Sequence, residues 1–167
     1  AAHEAGHGFG LEHQSEFDAS GRMIEEYYEG TALSAPIMGN SYYAERGLWW
    51  RGPSVVASNI QDDISILVGT KNGFGYRADD HPSSVASSTA MTVAEELVGG
   101  AGIIEKAGDM DAFSFSTGAG QVTFTAAGAQ HGGMLDLKLE LRTAAGSLIV
   151  AADTASLGET ISLSLEA

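Results

Sequence analysis

His3, His7 and His13 stand close together at the start of the chain, with Glu4 beside the first and Gly10 between the second and third. This spacing constrains the local fold more than any other feature. On a helix, positions 3 and 7 are i and i+4, so both imidazoles leave one face about one turn apart. A straight helix cannot bring a third imidazole comfortably to the same point. Gly10 removes the obstacle, because glycine takes positive φ freely and can turn the chain sharply. His13 then returns from the following loop. Three neutral imidazoles suit three corners of a tetrahedral zinc ion and leave the fourth for water, the pattern of a catalytic rather than a structural site. Glu4 is offset around the helix, within reach of that water and not placed to ligate the ion.

Composition narrows the alternatives. Cysteine is absent, so a metal must be held by His and carboxylate. Acidic residues number 22 against 8 basic ones, a formal charge of -14. Nucleic acid and anionic membranes require a cationic footprint and are disfavoured as partners. No apolar run approaches the ~20 residues of a membrane span.

The chain changes character near residue 78. Residues 1–77 hold both Trp and all five Tyr residues, whereas the remainder is rich in Gly, Ala, Ser and Thr. Gly69–Pro82 reads as a linker. In the first part the spacing predicts a short helix over Ala1–Phe9, stopped by Gly10. A second helix is predicted over Ser58–Val68, with Ser58 and Gln61 at capping-box spacing and Gly69 ending it. Ile60, Ile64, Leu67 and Val68 would share its apolar face. The second part alternates with period 2 at Phe113/Phe115, Val122/Phe124, Leu135/Leu137/Leu139/Leu141, Leu148–Val150 and Ile161/Leu163/Leu165. That pattern predicts an antiparallel sandwich with one wet face.

His3-Glu4-Ala5-Gly6-His7-Gly8-Phe9-Gly10-Leu11-Glu12-His13 resembles the metzincin signature H-E-x-x-H-x-x-G-x-x-H at every fixed position. Ala35-Pro36-Ile37-Met38-Gly39-Asn40 resembles the downstream Met-turn of that family. Met38 would then be a soft apolar floor for the imidazoles and not a ligand. Asp62-Asp63-Ile64 looks like the Asp-Ile element of matrixins and serralysins. Asn40 occupies the position where some metzincins carry a tyrosine, so no tyrosine switch is assigned. The residue after the third His, Gln14, does not settle the choice of metzincin family. Tyr42, Tyr43, Trp49, Trp50 and Arg51 are read as packing residues before pocket residues.

The segment from Gly73 to His81 resembles the start of bacterial pre-peptidase C-terminal domains. Gly102-Ile103-Ile104, Asp109-Met110-Asp111-Ala112-Phe113 and Leu135–Leu141 resemble further elements of that family. Such modules are jelly-roll-like and accompany secreted peptidases. Asp79, Asp80, Asp109 and Asp111 could bind calcium as hard oxygen donors, although such residues more often serve as turn formers. His81 and His131 lack metal-ligand spacing and are read as surface residues.

The resemblance implies an α+β protein. Residues 1–77 would be the helical C-terminal part of a metzincin catalytic domain, truncated at its N-terminus. Residues 78–167 would be an antiparallel β-sandwich truncated at its C-terminus. The implied function is secreted, zinc-dependent hydrolysis of peptide bonds in a polypeptide substrate. Glu4 would be the general base, and the sandwich would serve extracellular attachment. The fragment alone is expected to be inactive, because metzincins lay substrate on a strand that precedes the zinc helix. The alternatives are an adhesive or binding protein built on a non-catalytic peptidase scaffold, and a zinc hydrolase of another amide or ester. An intact Glu4 beside three histidines weighs against the scaffold reading, because a general base has no structural duty.

Overall fold

Helix α1 (Ala2–Gly8) ends in a hydrogen-bonded turn that Gly10 makes possible. Gly10 has φ +92, its N–H donates to His7 O at 3.0 Å, and Leu11 N–H donates to Gly6 O at 3.1 Å. These are the two bonds of a Schellman cap, whose left-handed residue is most cheaply glycine. Leu11 is thereby turned inward and buried.

The computed structural model describes residues 1–166. The chain divides into two compact units, Ala1–Tyr76 and the part from Arg77 onward. Ala167, the last residue expected in the second module, lies outside the described residues.

After α1 the first unit contains short strands. β1 (Glu16–Phe17) pairs antiparallel with β2 (Met23–Glu25). β3 (Ser34–Pro36) pairs parallel with β4 (Arg46–Leu48), and β5 (Arg51–Pro53) pairs antiparallel with β6 (Ile60–Asp62). Helix α2 (Asp63–Leu67) follows β6 directly. The expected helical subdomain is therefore corrected. Among the described residues the α-helices have 7 and 5 residues, and the unit is predominantly β.

The predicted helix over Ser58–Val68 fails for a specific reason. The Gln61 side chain acts at long range and not as a helix cap. Its Oε1 accepts from Glu12 N–H at 2.9 Å and its Nε2 donates to Glu12 O at 2.8 Å, as a neighbouring strand would. This pairing, with the β5 ladder, holds Ile60–Asp62 extended. The helix starts later, and Asp62 caps it by accepting from Ser65 N–H at 3.0 Å. Ile60 and Ile64 remain exposed, so the predicted apolar face does not form. Part of the expected linker also belongs to this unit, because Asn72 donates to Phe9 O and Ile66 O.

A buried carboxylate holds these pieces together. Asp63 is 0% exposed. Its Oδ1 accepts from Gln14 Nε2 and Gln61 Nε2, both at 2.9 Å, and its Oδ2 accepts from Trp50 N–H at 2.9 Å.

The second unit begins with a 3₁₀ turn at Val85–Ser87. β7 (Thr89–Ala90) is followed by the hairpin β8 (Thr92–Ala94) and β9 (Leu97–Gly99). β10 (Phe113–Ser114) pairs parallel with β7. β11 (Gly120–Ala126), β12 (Leu139–Arg142), β13 (Leu148–Ala152) and β14 (Glu159–Leu165) complete the order. β11 and β14 form a seven-residue antiparallel ladder that sets Val122 opposite Leu163 and Phe124 opposite Ile161. β12 pairs with β13.

Here too the expectation needs correction. Among the described residues every sheet of this unit is two-stranded, and its β7–β10 pair is parallel, so the jelly-roll sandwich is not closed. The predicted strand from Leu135 starts only at Leu139, and Leu135 stays exposed. The composition explains the shortfall. Gly, Ala, Ser and Thr interleave the apolar positions, and among the described residues of this unit only Leu141 and Ile161 are buried hydrophobics. Small sheets with so little apolar area gain little from stacking.

The Asp63 hub yields a stability prediction. In Asp63→Asn a side-chain NH₂ must face either Trp50 N–H or the two glutamine amides, donor against donor. A loss of roughly 1–3 kcal/mol is expected, read as a lower urea midpoint at unchanged m-value. An unchanged midpoint would remove the hub from the account.

Candidate metal centre

The sequence places His3 and His7 one turn apart, and α1 realises that spacing with ring centroids 5.0 Å apart. His13 returns from the loop beyond Gly10, with its centroid 4.9 Å from that of His7 and 5.3 Å from that of His3. One nitrogen of each ring lies within 4.8 Å of the other two.

The outward-facing partners of these rings determine what the inward nitrogens can do. His3 Nδ1 lies 2.7 Å from Ile37 O, and His7 Nδ1 lies 2.8 Å from Leu11 O. A carbonyl oxygen only accepts, so each Nδ1 carries the proton and donates it. His13 Nδ1 likewise donates to Glu26 Oε1 at 2.9 Å. In the neutral rings every Nε2 is therefore a bare lone pair. The Nε2 atoms of His7 and His13 face each other at 3.2 Å. With both protons committed at Nδ1, these two lone pairs point toward one another and are placed to share a cation. Two nitrogens bound ~2.0–2.1 Å from one tetrahedral zinc stand roughly 3.3–3.4 Å apart. The donor set, the tautomers and the separation thus fit zinc, and the Nδ1 acceptors supply the outer-shell bonds that metal-binding histidines require.

Met38 packs against α1 at Gly6. It is 0% exposed, and a Cβ added at Gly6, between the two helical histidines, would overlap its Sδ. The turn carrying Met38 is fixed on both sides. Gly39 N–H donates to Pro36 O at 3.1 Å, and Gln14 N–H donates to Met38 O at 2.9 Å. The same turn supplies Ile37 O to His3. Glu4 is exposed on α1, next to His3 in sequence.

Two neighbours escaped sequence reasoning. The Tyr27 ring packs on His13, centroids 4.2 Å apart, and stacks near His3 at 6.0 Å. Glu26 holds His13, as described above. Their only signal is the hairpin pattern. Asp18 and Gly21 make the turn between β1 and β2, and the return strand delivers Glu26 and Tyr27 to the third histidine. Tyr42 and Tyr43 are exposed, whereas Trp50 packs edge-on against Tyr28. Asp62-Asp63-Ile64 contributes a helix cap and a buried hub, and no ligand.

In the second unit the carboxylates of Asp79, Asp80 and Asp111 converge, as do those of Asp79, Glu105 and Asp109. Glu105 was not foreseen. Burial first, then the Asp109 carboxyl, raises the Glu105 carboxyl above its usual range. Burial, then Asp80, does the same for Asp111. Asp109 is held low chiefly by the N–H of Glu105. The oxygens match calcium in ligand type. His81 departs from expectation. It is half-buried against Phe113, with Nδ1 2.9 Å from Thr89 Oγ1 and Nε2 2.8 Å from Ala101 O. His131 is exposed.

Two outcomes follow. Gly6→Ala forces Met38 to move within a filled space and should cost about 1–3 kcal/mol. Gly8→Ala, with nothing within 4 Å of the new methyl, should be neutral or stabilising. Urea unfolding of the pair checks both. For the ligands, His7→Ala should weaken zinc binding by at least ~100-fold in chelator competition, because two imidazoles alone do not complete the set. Equal affinity would remove His7 from the centre.

Among the described residues no helix is long and apolar enough to cross a membrane. No known protein-family model, curated protein or solved structure matches the chain.

Proposed function

We propose that this protein is a zinc-dependent peptidase whose centre is built by His3, His7 and His13, with Glu4 as general base. One observation carries the reading. One nitrogen of each of the three imidazoles lies within 4.8 Å of the other two, while each Nδ1 donates to a fixed oxygen. A histidine cluster of merely structural use has no need to leave three lone pairs converging. The resemblance to the metzincin signature supports the same conclusion, as does Met38 packed under the helix at Gly6.

Zinc bound there supplies a Lewis acid that acidifies water and polarises a carbonyl. The remaining steps fall to the chain itself. The Glu4 carboxylate, exposed next to His3, takes the proton from the attacking water. It then passes that proton to the nitrogen of the leaving amine as the C–N bond breaks. The fixed Nδ1 donors keep the three rings from rotating during this cycle. Tyr27 packs against His13 on one side of the cluster. The substrate is a polypeptide, the site of action is extracellular, and the second unit serves attachment.

The test is peptide turnover by the full-length protein with and without a chelator, beside its Glu4→Gln variant. The variant should keep zinc and lose roughly 10²–10⁴-fold in turnover. Turnover that persists in the zinc-loaded variant would refute the role of Glu4. Turnover indifferent to chelator would refute the zinc reading.

A further inference from the structure

The three histidines are oriented by unlike partners. His3 and His7 donate to neutral backbone carbonyls, Ile37 O and Leu11 O. His13 alone donates to a carboxylate, at 2.9 Å from Glu26 Oε1. Its backbone setting differs as well. The other two sit on α1, whose hydrogen bonds fix their direction, whereas His13 lies in the irregular stretch between the Gly10 turn and β1. The loop ligand is thus the one whose backbone constrains it least, and it is the one given a carboxylate as its acceptor. A bond to an ionised acceptor is roughly twice as strong as a neutral one.

We infer that Glu26 is a positioning residue for the metal centre, holding His13 in the Nε2-binding tautomer and strengthening it as a ligand. This rests on the zinc reading above. The geometry comes from the β1–β2 hairpin. Its turn brings the chain back past its own start, so the residue directly after β2 reaches the residue three before β1. Ser15 Oγ donates to Glu26 O at 2.9 Å and anchors the backbone at that point. Tyr27, next in sequence, packs its ring on His13 and closes the other degree of freedom of the imidazole. Rotation of the ring would break both contacts. The negative charge also favours the polarised imidazole of the metal-bound state, so its effect grows when the ion binds.

Glu25 serves as the control. It is exposed on β2, carries the same charge one residue away, and faces Glu16 across the hairpin, not a histidine. Glu26 is itself well exposed, with 60% of its side chain accessible, so replacing it should leave the fold intact. The experiment measures zinc affinity by chelator competition for the protein, Glu26→Ala, Glu26→Gln and Glu25→Gln. It also records the visible spectrum of the cobalt-substituted forms. Glu26→Ala should lose roughly 10–100-fold in affinity. Glu26→Gln keeps an acceptor without the charge and should fall between Glu26→Ala and the unaltered protein. Glu25→Gln should bind as the unaltered protein does. The cobalt ligand-field bands should shift in Glu26→Ala and not in Glu25→Gln. Equal losses in Glu25→Gln and Glu26→Ala would replace positioning by a general charge effect and overturn the inference. Unchanged affinity and spectrum in Glu26→Ala, with zinc still bound, would overturn it while leaving the zinc centre standing. Failure of the unaltered protein to bind zinc would overturn the zinc reading and this one together.

Discussion

The first unit depends on one buried carboxylate. Asp63 has no cation beside it among its hydrogen-bond partners and is held by two glutamine amides and one backbone N–H. Burying a charge is tolerable only when its lone pairs are met, and these donors meet them. Gln14, Gln61 and Trp50 come from different parts of the chain and are fixed by meeting at one residue. Gln14 directly follows His13. Its N–H reaches Met38 O, and its own O accepts from Tyr28 N–H. The position of the third histidine is therefore transmitted from a carboxylate far along the chain through a run of directional bonds.

The centre combines two kinds of precision. The helix sets His3 and His7 relative to each other, because backbone hydrogen bonds repeat every turn. Nothing of that kind sets His13. The Schellman turn at Gly10 gives it direction, the hairpin gives it Glu26 and Tyr27, and the Asp63 hub anchors its neighbour. For the proposed zinc site, such an arrangement would hold the ion while leaving one coordination position open. Ring orientation is fixed from outside the cluster, and no ligand has to block the open position.

The second unit shows the limit of alternation as a guide. Where Val122 and Phe124 face Leu163 and Ile161, a long antiparallel ladder forms. Where Leu135 and Leu137 alternate just as cleanly, no strand forms until Leu139. Period 2 marks a segment able to line a sheet face, but a face needs a partner. With Gly and Ser at so many positions the opposing surface is thin, and the alternation goes unused.

Much of the histidine cluster was legible in the residues themselves. The i and i+4 histidines, the turn at Gly10 and the glycine-bounded turn carrying Met38 follow from backbone geometry over a few residues, and local geometry is written locally. Other features were decided by tertiary structure. Gln61 reads as a helix cap, yet its amide pairs with Glu12 and keeps Ile60–Asp62 extended. Asp63 reads as part of a family-like Asp-Ile element, yet it is the buried hub. Glu26 and Tyr27 carry no mark of their role. In each case a side chain had two uses of similar local cost, and the choice fell to partners as many as 49 residues away in the chain. A local pattern cannot carry that information, because a hydrogen bond's value depends on whether its partner is buried beside it, and only the folded chain decides burial.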